Sequence, residues 1–127
     1  MLRGRLIYLA GPITGVANDN REEFERASKL LRNLGNAVLN PHELCEEIPK
    51  EGNPEVVWMH CLKICLREMR KCDMVVMLSG FKNSTGSMVE FTCALMQGMD
   101  VVMMSEIDAA VRAGVESHSS VLYNMEG

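Results

Sequence analysis

The chain has 127 residues, 47% of them apolar and 24% charged, a make-up that suits one globular domain and is too short for two. A net charge of −4 argues against a nucleic-acid partner held by phosphate neutralisation, and no run approaches the ~20 apolar residues that cross a bilayer. The first apolar segment stops at Ala10 and runs into Gly-Pro, too short for a signal peptide, so a cytoplasmic protein is expected.

Arg5 to Ala10 (RLIYLA) reads as a buried strand, followed by the turn Gly11-Pro12-Ile13-Thr14-Gly15. A strand running into a Gly-rich turn is where an open α/β sheet places its ligands. Asn18, Asp19 and Asn20 offer N-caps for a helix through Leu34, whose apolar stripe is Phe24, Ala27, Leu30, Leu31 and Leu34. Gly35 closes that helix. Ala37-Val38-Leu39 is then a short strand ending in Asn40-Pro41.

Residues 42–54 are acidic and broken by Pro49, Gly52 and Pro54, a composition that suits a mobile lid or, more plainly, a solvated connector. A helix over 55–71 carries Trp58, Leu62, Cys65, Leu66 and Met69 at helical spacing. Asp73 to Leu78 is a fully buried strand, and a small-residue loop follows from Ser79 to Ser87. A helix over 87–96 comes next, ended by Gly98, and 101–104 is a fourth strand. Residues 109–115 read as a last helix and 117–127 as a tail. Strand and helix alternate throughout, so the expected fold is α/β: a single doubly wound domain with a parallel four- to five-stranded, Rossmann/flavodoxin-like sheet. It occupies 1–127, with a core over 5–104 and an extension over 105–127.

The five cysteines (45, 61, 65, 72 and 93) fall mostly in apolar segments and leave an odd one, which fits buried reduced thiols. No metal site is expected, because no CxxC is present and the adjacent His60 and Cys61 diverge by ~100° on a helix. No cofactor is expected either. The 87–96 helix is apolar nearly all round and calls for burial on more than one side, which predicts a homodimer or higher homo-oligomer. Ser119, Ser120 and Asn124 are tail residues that a neighbouring subunit could lend to a site.

The chemistry-bearing residues gather at the carboxyl ends of the strands: Tyr8 with Gly11 and Pro12, then Asn40, then Ser84, Gly86, Ser87 and Glu90. A strand, a Gly/Ser loop and a helix N-terminus make an anion site, since free backbone amides and the helix dipole converge there. Glu90 in the first helical turn is then either a dipole-complementing carboxylate or a working group. Tyr8 is either a strand tyrosine with its hydroxyl on the backbone or a partner of that carboxylate. Asp73 lies at the amino end of its run, and it reaches the site only if the strand is short or the preceding turn folds over.

Ile7-Tyr8-Leu9-Ala10-Gly11-Pro12, Asn40-Pro41, Cys72-Asp73 and Ser84-x-Gly86-x-x-x-Glu90 together resemble the nucleoside 2-deoxyribosyltransferase superfamily over residues 6–104. The likeness is greatest to its small phage-associated members of undefined function. The resemblance implies cleavage of an N-glycosidic bond in two steps through a glycosyl-enzyme ester. It implies Glu90 as nucleophile, Tyr8 as the residue that orients it and Asp73 as the acid for the leaving base. Gly11, Pro12, Asn40, Ser84, Gly86 and Ser87 become substrate-binding residues. Members acting on free nucleosides tend to carry aspartate six residues before the glutamate, and those hydrolysing nucleoside 5′-monophosphates tend to carry serine. Ser84 therefore implies the second chemistry: an N-glycosidase for a (deoxy)nucleoside 5′-monophosphate. Base exchange by a deoxyribosyltransferase and nucleotide sensing without turnover are the alternatives. Phe81 stands where many small relatives have tryptophan, so a stacking role there is not carried over.

Overall fold

A computed structural model describes residues 2–114; the expected tail with Ser119, Ser120 and Asn124 lies outside them. Four parallel strands, β1 (Leu6–Ala10), β2 (Ala37–Leu39), β3 (Met74–Met77) and β4 (Asp100–Met103), form one sheet in the order β2-β1-β3-β4. The winding reverses between β1 and β3, which opens a crevice at their carboxyl ends. Helix α1 (Arg21–Asn33) joins β1 to β2. A short helix α2 (Pro41–Leu44) and α3 (Pro54–Met69) lead to β3, α4 (Thr85–Met96) leads to β4, and α5 (Met104–Arg112) follows.

Strand alternation sorts the core into two layers. Ile7, Leu9, Met74 and Val76 pack with Phe24, Ala27 and Leu31 of α1 and with Met104 and Ile107 of α5. Tyr8, Ala10, Val75 and Met77 face the other way, onto Cys65 and Met69 of α3 and Ala94 of α4. Both faces of β1 and β3 are therefore covered, which is why these strands read as unbroken apolar runs. Among the described residues no helix is long and apolar enough to cross a membrane.

Several boundaries differ from the sequence expectation, each for a local reason. Helix α4 starts at Thr85, because Ser84 is its N-cap and the Ser84 side chain accepts from the Ser87 amide at 3.3 Å. Glu90 consequently sits in the second turn, and a dipole effect confined to the first turn does not account for it. Helix α5 begins at Met104, directly off β4 and five residues before the expected start, because Met104 and Ile107 bury against the sheet. Residues 42–53 are more structured than a solvated connector. Asn40 caps α2 by accepting from the His42 amide at 2.9 Å, Ile48 is buried, and Lys50 Nζ donates to the carbonyls of Cys45 and Ile48 at 2.6 and 2.9 Å.

The expected N-caps Asn18, Asp19 and Asn20 do not cap α1 with their side chains. All three take left-handed backbone conformations, with φ of 52°, 53° and 60°. Left-handed residues usually occur singly, so three in succession need external support. Asn20 Nδ2 donates to the Pro12 carbonyl at 2.9 Å, and His42 Nε2–H donates to the Asp19 carbonyl at 2.8 Å.

Candidate active site

A cavity of about 260 Å³ opens at the β1/β3 crevice, near the small end of the ~300–1,000 Å³ typical of ligand pockets. The turn after β1 gives it Gly11, Ile13 and Thr14. The 42–50 segment gives His42, Cys45, Glu46 and Lys50, and one stripe of α3 gives Trp58, Cys61, Leu62 and Cys65. Ser84, Gly86, Ser87 and Glu90 come from the start of α4, and Asp19 and Arg21 stand at the edge.

The floor is Glu90. Positions 87, 90 and 94 form the buried face of α4, a three-then-four spacing that turns these side chains to the sheet. Tyr8 points to the same side of β1, and its hydroxyl donates to Glu90 Oε2. Tyr8 is fully buried and Glu90 is 6% exposed, so both polar groups are satisfied mainly by each other. Burial pushes the Glu90 carboxyl up to about 7, the Tyr8 hydrogen bond pulling the other way. Burial, and next the negative charge of Glu90, raise the Tyr8 phenol well above its ordinary value. The phenol thus stays a donor while Glu90 changes between acid and anion near neutrality, a range suited to a catalytic carboxyl.

One turn earlier, Ser87 Oγ is buried with no hydrogen-bond partner among the described residues. Ser84 Oγ accepts from the Ser87 amide, which leaves the Ser84 hydroxyl proton free to be donated. The amides of Thr85 and Gly86, the first two positions of α4, have no partner within the helix. These groups supply donors without an acceptor, as an anion subsite requires. Arg21 and Lys50 add positive charge to the cavity wall, whereas Asp19 and Glu46 oppose it.

Gly11 lines the cavity, but a Cβ at this position would lie 2.7 Å from Leu78 Cβ, so close strand packing alone demands glycine there. Pro12 is buried beside the cavity without lining it, its carbonyl taken by Asn20. Asn40 is turned inward: Oδ1 caps α2 and Nδ2 donates to Ser28 Oγ at 3.3 Å. Phe81 is buried against Phe91, with ring centroids 5.2 Å apart, and stacks on nothing in the cavity.

Asp73 needs a correction. It lies at the amino end of the sheet, where Asp73 Oδ2 accepts from the Leu6 amide and the Asp73 amide donates to the Leu6 carbonyl, both at 2.8 Å. The register that sets Ile7 beside Met74 fixes it there, one strand length from the cavity. Asp73→Ala is therefore expected to cost about 1–2 kcal/mol in urea unfolding by loss of that hydrogen bond, with turnover per folded molecule unchanged. A large fall in turnover at full folding would return Asp73 to the chemistry.

Trp58, Leu62 and Cys65, expected only at helical spacing on one helix, line the cavity, as do Asp19, Arg21, His42, Glu46 and Lys50, which no sequence motif marked. The α3 spacing 58-61-62-65 carried the signal, because a helix covering a strand-end crevice shows its apolar stripe to the ligand as well as to the sheet. His60 is exposed while Cys61 lines the cavity, the divergence their adjacency predicts. All five cysteines are unpaired, and Cys45 Sγ lies 3.6 Å from Cys65 Sγ.

A family described as "Domain of unknown function (DUF4406)" matches residues 5–103. Among solved structures, the chain is similar to a 2-deoxyribosyltransferase from the psychrotolerant bacterium Bacillus psychrosaccharolyticus, at 23% identity and a TM-score of 0.62. The match covers 77% of this chain and 70% of that one. That protein is described as a biocatalyst for the synthesis of antiviral and antitumoral nucleosides. The shared fold agrees with the resemblance carried by the motifs. No curated protein sequence matches.

Proposed function

The chain belongs to the DUF4406 family, and from that premise and the geometry of the cavity we propose an N-glycosidase that acts on (deoxy)nucleoside 5′-monophosphates. The observation that carries the reading is the buried Tyr8–Glu90 pair on the cavity floor. The Glu90 carboxylate attacks the anomeric carbon, the bond to the base nitrogen breaks, and the electron pair leaves with the base. Water then cleaves the glycosyl ester, giving a sugar 5-phosphate and restoring the carboxylate. Tyr8 holds the attacking oxygen and stabilises its charged form. With Asp73 at the far end of the sheet, Asp19 and Glu46 are the carboxyls available on the cavity wall to protonate the leaving base.

The buried, unpartnered Ser87 hydroxyl and the capping Ser84 support a phosphate at the start of α4. Incubation with a panel of nucleosides and 5′-monophosphates, followed by chromatography for free base, tests the reading. Base release from monophosphates in preference to nucleosides is the expected result. Ser84→Asp keeps a good N-cap but sets a carboxylate against the phosphate, so it should reverse the preference. Equal rates on both ligand types would remove the phosphate argument. Transfer of the sugar to an added second base would make the activity base exchange, and binding without turnover across the panel would make the protein a nucleotide sensor. A nucleotide substrate and five unpaired cysteines fit a cytoplasmic setting.

Self-association is part of the same proposal. Helix α4 buries one face on the sheet but leaves Leu95 and Met96 exposed, and Val56 and Met59 of α3 are exposed as well. A homodimer or higher homo-oligomer that covers apolar surface on α4 is expected from light scattering at micromolar concentration. A species of only 14.2 kDa would overturn it.

A further inference from the structure

Trp58 is the chain's sole tryptophan. It stands 40% exposed on the cavity wall, not in the core. A Cβ built at Gly86 would lie 3.7 Å from Trp58 Nε1 and 3.8 Å from Cζ2, so the N–H edge of the indole lies over the first turn of α4. Among the described residues Trp58 Nε1 meets no acceptor, and at 40% exposure the indole can present its N–H to a bound ligand. The same turn carries the buried, unpartnered Ser87 hydroxyl and the free proton of Ser84. Donors from two helices thus line the same cavity beside the first turn of α4.

We propose that Trp58 is a specificity-determining residue whose indole N–H donates to the phosphate of the substrate, opposite Ser84 and Ser87. The identity of the sugar and base rests on the glycosidase reading; the phosphate contact rests on the geometry alone. A phosphate has several acceptor oxygens and can satisfy donors on both sides at once. A neutral 5′-hydroxyl offers a single uncharged oxygen and cannot satisfy all of these donors, which penalises the unphosphorylated ligand. The indole adds a donor without adding a cation beside Glu90. Gly86 keeps side-chain bulk away from the indole edge, since a Cβ there would stand in van der Waals contact with it.

The sole tryptophan is its own reporter. Ribose 5-phosphate, which has no base to absorb or stack, should change Trp58 emission on binding to wild type, and ribose at the same concentration should not. By calorimetry, Trp58→Phe should bind ribose 5-phosphate about tenfold more weakly, the effect of one lost hydrogen bond to a charged group. Its affinity for the unphosphorylated nucleoside should fall by less, so that the preference for the phosphorylated ligand narrows. Trp58→His, which keeps a ring N–H, should recover part of the loss, and circular dichroism checks that each variant is folded. An unchanged affinity in folded Trp58→Phe, an equal emission response to ribose and ribose 5-phosphate, or no binding of ribose 5-phosphate to wild type would each overturn the proposal. Binding with the expected emission change but no base release from any nucleotide would sink the glycosidase reading and leave Trp58 in its role. Turnover of monophosphates by a Trp58→Phe protein of unchanged affinity would do the reverse.

Discussion

Glu90→Gln is expected to lower base release from a verified substrate by ~10³-fold or more, the scale on which loss of a nucleophile acts, while making the protein more stable at pH 8. The two effects have one origin. Glu90 is buried, and its carboxyl is pushed from the ordinary 4.5 to about 7. Between those values the unfolded chain has released its proton and the folded chain keeps it. The stabilising neutral form is therefore complete below pH 4.5 and is lost as pH rises through about 7. Above that pH the folded protein carries a buried anion at a cost on the order of 3 kcal/mol, since each tenfold change in proton affinity is worth about 1.4 kcal/mol. Glutamine keeps the shape and can still accept from Tyr8, but it never bears the charge. Urea unfolding of wild type and Glu90→Gln at pH 4.5 and pH 8 measures this directly, the gain appearing at pH 8 alone. Nucleotide affinity should stay within about tenfold, roughly 1.4 kcal/mol. Mass spectrometry of wild type with a slow 2-fluoro substrate should find the sugar on Glu90. Full turnover in Glu90→Gln would rule out the mechanism.

Tyr8→Phe carries the second large effect. Tyr8 is fully buried among Cys65, Met69 and Ala94, so phenylalanine fills its place and only the hydroxyl is lost. A hydrogen bond to a charged group is worth about 1.5–3 kcal/mol. Its removal destabilises the Glu90 anion and should move the acid limb of kcat/KM upward by about one to two pH units. In wild type that limb is expected near pH 7, activity rising with pH as the carboxylate forms. In Tyr8→Phe activity at pH 7 should fall steeply and recover in part by pH 9. A pH profile that keeps its midpoint while its height drops would mean that Tyr8 serves geometry alone. An unchanged profile would remove it from the site.

Much of the fold is legible because its signals are local. Apolar runs at 5–10 and 73–78 mark strands covered on both faces, and the stripe of Phe24, Ala27 and Leu31 marks a helix with one buried side. Their alternation implies parallel strands, since a parallel neighbour needs a crossover. The Ser84-x-Gly86-x-x-x-Glu90 spacing likewise sets a cap, an open first turn and a carboxylate along one short segment. Resemblance then lent Glu90 and Tyr8 their roles, which composition and spacing had left open.

Tertiary structure alone decided the rest, because periodicity says which face a residue occupies but not which element it meets or at which end of the sheet. Tyr8 and Glu90 are 82 positions apart and touch only because β1 lies beside β3 and α4 returns across them. Asp73 is excluded by strand register, which pairs it with the Leu6 backbone at the opposite edge. Asn40 was drawn away from the cavity by the unsatisfied amides of a four-residue helix too short to be read from its pattern. Trp58 has the spacing of a core residue, yet it reaches the cavity because α3 overhangs the start of α4, where the indole lies beside Gly86. The sequence by itself determined the elements and the local chemistry of α4; packing determined which of those groups share a site, since such contacts form between segments that no local pattern relates.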